Sequence, residues 1–255
     1  MNIQNEELIK RLGTFPNLFT LVPVITSYGL IPVDFTRGVV GEPTILQLIA
    51  AEFKLLIDFD QFDVIAGIEL SGITMATAIA IATGKPMVIV RGKSKRPGRP
   101  VIVGDVNFIK PVTRVLLIDD SMAAAKSKRE STKKLADIGA TVTGIAVLIY
   151  GEYQIDRFHE KYQDVFNSQA WLDQSGIQLH HLITWKELTD LQLKYGTMDK
   201  ELNAIARESL HWDAWEDDEE GYITKMIQCF KNRKILIPDY VSKHYQSKGI
   251  DLTTL

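Results

Sequence analysis

Cysteine is almost absent from this 255-residue chain, where Cys229 stands alone. A single thiol excludes an internal disulfide framework and any metal centre built from clustered cysteines. Long apolar runs are missing as well. No stretch approaches the roughly 20 apolar residues that a membrane span needs. The opening MNIQNEELIKR carries acids where a secretory leader would have an apolar core. A large charge excess is also missing: the formal net charge is −3, which gives no global argument for nucleic acid. There is no internal repeat and no low-complexity segment. With 45% hydrophobic and 24% charged residues, the composition excludes a disordered chain. The length corresponds to about 1.7 ordinary domains, enough to bury a core without metal or disulfide staples. We expect a soluble, cytoplasmic protein.

Hydrophobic spacing predicts the middle of the chain. From Thr44 to Phe59, Ile45, Leu48, Ile49, Phe53 and Leu56 recur at helical spacing. Asp63 to Ile68 is a short apolar run suited to a buried strand, closed by Ser71-Gly72. Ile73 to Thr83 reads as an Ala-rich helix stopped by Gly84 and Pro86. Pro86–Val90, Arg114–Asp119 and Thr141–Tyr150 are three further strands, with a helix over Ser127–Ile138 between the last two. Gln178–Ile183 is one more strand, and a helix begins near Trp185. Strands alternating with helices imply βαβ units and a parallel sheet covered on both faces. Ligands of such sheets bind at the carboxyl ends of the strands, which points to Ile68–Gly72, Arg91–Gly98 and Asp119–Ser127. Beyond residue 194 the composition shifts toward charge and reads as a mainly helical extension, so the expected division is 1–193 and 194–255.

The central feature is VLLIDDSMAAAKS, residues 115–127. A buried strand runs into two adjacent carboxylates, then small residues, then a helix. Small residues let the backbone approach a phosphate, and the N–H groups and dipole of a helix start favour an anion there. The carboxylates suit sugar hydroxyls or a hydrated Mg²⁺. From these residues alone, a strand end capped by Asp before an Ala-rich turn reads equally well.

Several motifs in order resemble the type I phosphoribosyltransferases, nearest the orotate and adenine members, over about Pro32 to Leu193. The resemblance implies an α/β doubly wound parallel sheet and transfer of ribose 5-phosphate from phosphoribosyl pyrophosphate (PRPP) to a nucleobase. Orotate is the first expectation and an adenine-type purine the second. It implies Asp119 and Asp120 on the ribose hydroxyls, with Mg²⁺ held there through water or those hydroxyls. It assigns the 5-phosphate to the loop of Ser121, Ala123, Ala124, Ala125, Lys126 and Ser127. Ile65–Ile73 resembles the diphosphate turn, which brings in Glu69, Leu70, Ser71 and Gly72. Arg91 matches a pyrophosphate-binding arginine. Gly92–Gly98 resembles the start of a mobile loop carrying Lys93 and the catalytic Lys95. A homodimer is expected, with no membrane partner and no nucleic acid.

The departures from that pattern are specific. Alanines replace the usual Thr and Gly of the phosphate loop, which removes hydroxyl donors and the residue most tolerant of positive φ. Gly92 stands where orotate enzymes have a lysine, and Tyr150–Tyr153 stands where they have Asp-Arg. The rival expectation is a catalytically weakened PRPP- or nucleotide-binding regulator of the same fold. Lys126, Lys128, Arg129, Lys133 and Lys134 read as the solvated face of one helix, with a nucleic-acid surface as the sharper alternative.

Overall fold

The computed structural model describes residues 1–252 other than 17, 27–28, 36, 93–99, 124, 152–167, 209–218 and 248. The chain divides into two compact units, one of Met1–Leu12 with Arg37–Leu188 and one of Gly13–Thr36 with Thr189–Leu255.

The first unit is built on β3 (Val64–Ile68), β4 (Met87–Val90), β5 (Ile102–Val103), β6 (Thr113–Met122), β7 (Ala140–Tyr150) and β8 (Gln178–Thr184). These form one sheet in the order β5-β4-β3-β6-β7-β8. All neighbours are parallel except the short β5, which pairs antiparallel with β4. Helices α2 (Pro43–Leu56), α3 (Ser71–Thr83), α4 (Lys126–Ala136) and α5 (Ser168–Ser175) complete it. This is the expected α/β doubly wound parallel sheet. From β3 the chain moves one way to β4; from β6 it moves the other way to β7 and β8. The reversal falls at the carboxyl ends of β3 and β6, the place where open α/β sheets bind ligands.

Alternation along the strands explains the two covered faces. Val64, Ala66, Ile68, Val115 and Leu117 share a core cluster with Leu135 of α4 and Leu172 of α5. The intervening positions face α3, as Gly67 demonstrates: a Cβ there would lie 2.9 Å from the Ala76 methyl. Helix α2 starts where Glu42 accepts hydrogen bonds from the Thr44 and Ile45 amides, with Pro43 in its first turn. Helix α3 stops at Gly84, whose φ is 69°.

Two polar anchors tie distant segments of this unit. Glu52, 3% exposed, accepts from the amides of Gln4 (2.8 Å) and Asn5 (2.9 Å), while Asn2 donates to the His181 and Leu182 carbonyls. At the start of β6, Arg114 grips Asp63 through Nη2 at 2.8 Å and Nε at 3.2 Å.

The second unit holds the antiparallel hairpin β1 (Phe19–Thr26) and β2 (Gly29–Phe35), with α7 (Lys200–Glu208), α8 (Glu219–Asn232) and α9 (Asp239–Gln246). Along the chain the division falls within helix α1 (Glu6–Thr14), after Leu12, and within helix α6 (Trp185–Lys194), after Leu188. Within the second unit, Thr197 and Gln192 donate to the Gly13 carbonyl. Arg233 bonds Asp199 (2.8 Å) and Glu201 (2.9 Å). The C-terminal part is helical as expected, and the hairpin joins it.

Glu52→Gln removes a buried charged acceptor of two amides and should lower the unfolding free energy by about 1–3 kcal/mol in urea titrations. The Arg114 hydrogen bonds lower the Asp63 carboxyl from its usual 3.8 to about 2. That contribution is complete above pH 3.8 and is lost as the pH falls through 2. Asp63→Asn should therefore flatten the acid limb of a stability-versus-pH curve between those values.

Candidate functional site

Two backbone approaches shape this end of the sheet. Val64, Ile65, Ala66 and Gly67 pair in register with Val115, Leu116, Leu117 and Ile118, so the turn after β3 faces the chain beyond Ile118. Gly72, in the first turn of α3, then presses on β6. A Cβ at Gly72 would stand 2.4 Å from the Ile118 carbonyl oxygen and 3.1 Å from the Asp119 Cα. Only glycine allows that contact. Ser71 begins α3 beside it, half-buried.

Strand β6 continues past the acids to Met122, with Asp119 opposite Val147 and Ser121 opposite Ile149. The expected strand end at Asp119 is therefore three residues short. Alternation carries Asp119 with Val115 and Leu117 to the side where Lys128 of α4 meets it, and its carboxyl stays close enough to that of Asp120 for the two to interact. Both are buried, at 7% and 3% exposure. Asp119 Oδ1 accepts the Asp120 amide at 3.0 Å, and Asp120 Oδ1 accepts the Ser121 amide at 2.8 Å.

The expected phosphate loop follows. Ala123 is half-buried, and Ala125 is buried in the left-handed conformation with φ 58°. A left-handed alanine costs about 1–2 kcal/mol where glycine would cost nothing comparable. It turns the chain into α4 without a side-chain cap. Lys126 and Ser127 are exposed in the first turn of that helix, whose free amides are donors for an anion. Ala124, Lys93 and Lys95 lie outside the described residues. Arg91 follows β4, its Nε 3.9 Å from Glu69 Oε2. That same carboxylate oxygen accepts the Gly92 amide at 2.9 Å.

The basic helix corrects the solvated-face reading. Lys128 is 5% exposed. Its ammonium donates to Asp119 Oδ2 at 2.6 Å and to the Ser121 carbonyl. Lys134 donates to the Arg91 carbonyl at 2.9 Å and the Gly92 carbonyl at 3.3 Å. The Arg129 guanidinium lies 5.4 Å from the Trp171 ring centroid. Of the five bases, Lys126 and Lys133 are left exposed. A signal for Lys128 existed: Lys128, Ser131 and Leu135 fall at i, i+3 and i+7, and all three are buried.

Burial pushes the Asp119 carboxyl up to about 6, against the pull of Lys128. The acids do not fit a directly held Mg²⁺. One is already taken by an ammonium, and among the described residues no three His, Cys, Asp or Glu side chains converge.

Residues 43–181 match the phosphoribosyl transferase domain. The chain belongs to that family. The matched segment lies wholly within the first unit. The chain is 38% identical over 116 residues to the orotate phosphoribosyltransferase of Pyrococcus furiosus, covering 44% of this chain and 62% of that protein. With that of Thermococcus gammatolerans it shares 38% over 119 residues, 44% of this chain and 60% of that protein. The chain thus spans about three fifths of the length of these relatives. Among solved structures, Leishmania donovani UMP synthase superposes with a TM-score of 0.64 at 22% identity, over 81% of this chain and 42% of that one. Orotate phosphoribosyltransferase from Aeropyrum pernix gives 0.55 at 20% identity, over 72% and 95%. These likenesses establish the fold.

Lys128→Met should cost about 3–5 kcal/mol by stranding a buried carboxylate. The Lys128→Met/Asp119→Asn double variant should recover about 2 kcal/mol or more of the summed losses. Urea unfolding of the two single variants and the double variant measures this.

Proposed function

We propose that this phosphoribosyltransferase-family chain transfers ribose 5-phosphate from PRPP to a nucleobase, orotate first and an adenine-type purine second. The observation that carries the reading is the meeting of the Gly72 turn with the acid pair of β6 at the sheet's reversal, followed directly by an uncapped helix start. Asp119 and Asp120 would accept hydrogen bonds from the ribose hydroxyls. The amides from Ala125 to Ser127, with the Lys126 charge, would hold the 5-phosphate. The Ser71–Gly72 turn and Arg91 would face the diphosphate, and cations there would stabilise charge developing on the departing group. Lys93 and Lys95 would contribute from the loop after Gly92. Glu69 and Lys134 brace the base of that loop by holding the Gly92 amide and the carbonyls of Arg91 and Gly92.

We place the protein in the cytoplasm, and among its described residues no helix is long and apolar enough to cross a membrane. A homodimer fits the uncharged sequence of α3, SGITMATAIAIAT, with Leu70 just before it and Ile81 within it exposed. A second reading, a weakened PRPP-binding regulator, is favoured by one observation: Lys128 occupies the carboxylate that should greet the sugar.

The assay is pyrophosphate release from PRPP with orotate, adenine, hypoxanthine, guanine, xanthine or uracil, with and without Mg²⁺. We expect turnover with one base, falling about a hundredfold or more in Asp119→Asn. PRPP raising the melting temperature without any turnover would select the regulator. No response to PRPP would remove both readings.

A further inference from the structure

We propose that Lys128 is the resident cation of this site, standing where a divalent ion would be needed, so that a phosphorylated sugar binds the acid pair without metal. The proposal rests on the phosphoribosyl reading for its ligand, but its central claim about charge does not.

Three features of Lys128 argue against an incidental ion pair. It lies in the first turn of α4, where the helix dipole disfavours a cation. It is 5% exposed, so its ammonium has given up most of its hydration. Its two recorded acceptors are both site atoms: Asp119 Oδ2 at 2.6 Å, and the carbonyl of Ser121, where the phosphate loop begins. Dipole and burial both oppose the charge, and Asp119 offsets both. The result is a carboxylate pair with part of its negative charge cancelled from within. A phosphate approaching two bare carboxylates would be repelled, and a divalent ion ordinarily relieves that repulsion. Here an ammonium attached to the chain does so. One oxygen of Asp119 is committed to the lysine. Its other oxygen accepts the Asp120 amide and keeps a second lone pair for a hydroxyl donor. A divalent ion, by contrast, would meet a net charge already reduced and no convergent set of three donors among the described residues.

The test uses the full chain as wild type, Asp119→Asn, Lys128→Arg, Lys128→Met and Lys128→Met/Asp119→Asn. The first probe is Mn²⁺ alone, followed by the electron paramagnetic resonance signal of the free ion. We expect no binding at millimolar Mn²⁺ in wild type or Lys128→Arg. A new site should appear in Lys128→Met and vanish in the double variant. Mn²⁺ binding by wild type that Asp119→Asn abolishes would overturn the proposal, as would Lys128→Met gaining no site.

The second probe is ribose 5-phosphate by calorimetry, in EDTA and then in Mg²⁺. Wild-type affinity should be the same in both. Lys128→Met should bind about tenfold more weakly in EDTA, with Mg²⁺ restoring the affinity. A purely structural lysine would not move this metal dependence. Wild-type binding that collapses in EDTA would overturn the proposal while leaving the phosphoribosyl reading intact. Absence of ribose 5-phosphate binding under both conditions would count against that reading instead, and the Mn²⁺ arm would still decide the role of Lys128. Should Lys128→Met not fold, wild type and Lys128→Arg decide through the Mn²⁺ and EDTA arms.

Discussion

The first turn of α3 runs against the backbone of β6, and most of the site depends on that contact. A single added carbon at Gly72 would overlap the Ile118 carbonyl, 2.4 Å away, so any other residue would push α3 off the sheet. The approach needs β3 and β6 to be parallel neighbours, because only then do the Ser71–Gly72 turn and the acid pair emerge from the same edge. Parallel pairing in turn requires a covered crossover on each side of the sheet. The core supplies this, with α3 on the Gly67 face and α4 and α5 on the Val115 and Leu117 face. Packing, topology and candidate chemistry therefore meet at one glycine.

The elements of the first unit were legible because each carries one strong periodic signal. Strand β3 is buried at every position and reads as an unbroken apolar run. Helix α3 ends at the glycine that its sequence places there. What escaped were features decided by tertiary partners. Strand β6 extends over Asp119–Met122 because β7 pairs with it there, and polar residues give no apolar signal for that extension. Strand β5, two residues long, exists only as an edge partner of β4. The β1–β2 hairpin joins the C-terminal helices in one unit although more than 150 residues separate them along the chain, and such an association has no local signature. Within the site, the acids and the turn were legible from composition and order. The fate of the lysines was not, because a charged residue is read as exposed until a partner is known.

That misreading has a physical lesson. Helix α4 is rich in cations, which invites a surface for nucleic acid. Its charges are largely consumed internally, by a carboxylate, three carbonyls and an indole ring. A phosphate backbone recognised through ion pairing needs cations free to neutralise it, and α4 offers only Lys126 and Lys133 to solvent. The same accounting explains why a helix with so thin an apolar stripe remains seated. Lys128 and Lys134 dock it to β6 and to the end of β4, in addition to the contact made by Leu135.

The alanine loop and the buried lysine bear on the same balance. Losing hydroxyl donors from a phosphate loop removes neutral hydrogen bonds worth about 0.5–1.5 kcal/mol each. The backbone amides at the start of α4 remain, because the left-handed turn at Ala125 still aims the chain into the helix. An anion could therefore still be held by backbone amides, whereas hydroxyl-mediated positioning of a sugar would be lost. Lys128 acts in the same direction, since it lessens repulsion of an anion while committing one oxygen of Asp119. Both changes preserve affinity better than they preserve the alignment needed for transfer, where misplacement by about 1 Å costs about a hundredfold in rate. On the proposed phosphoribosyl reading, this arrangement would favour holding a phosphorylated sugar over processing it quickly. The cost of that bias would then fall on kcat rather than on binding.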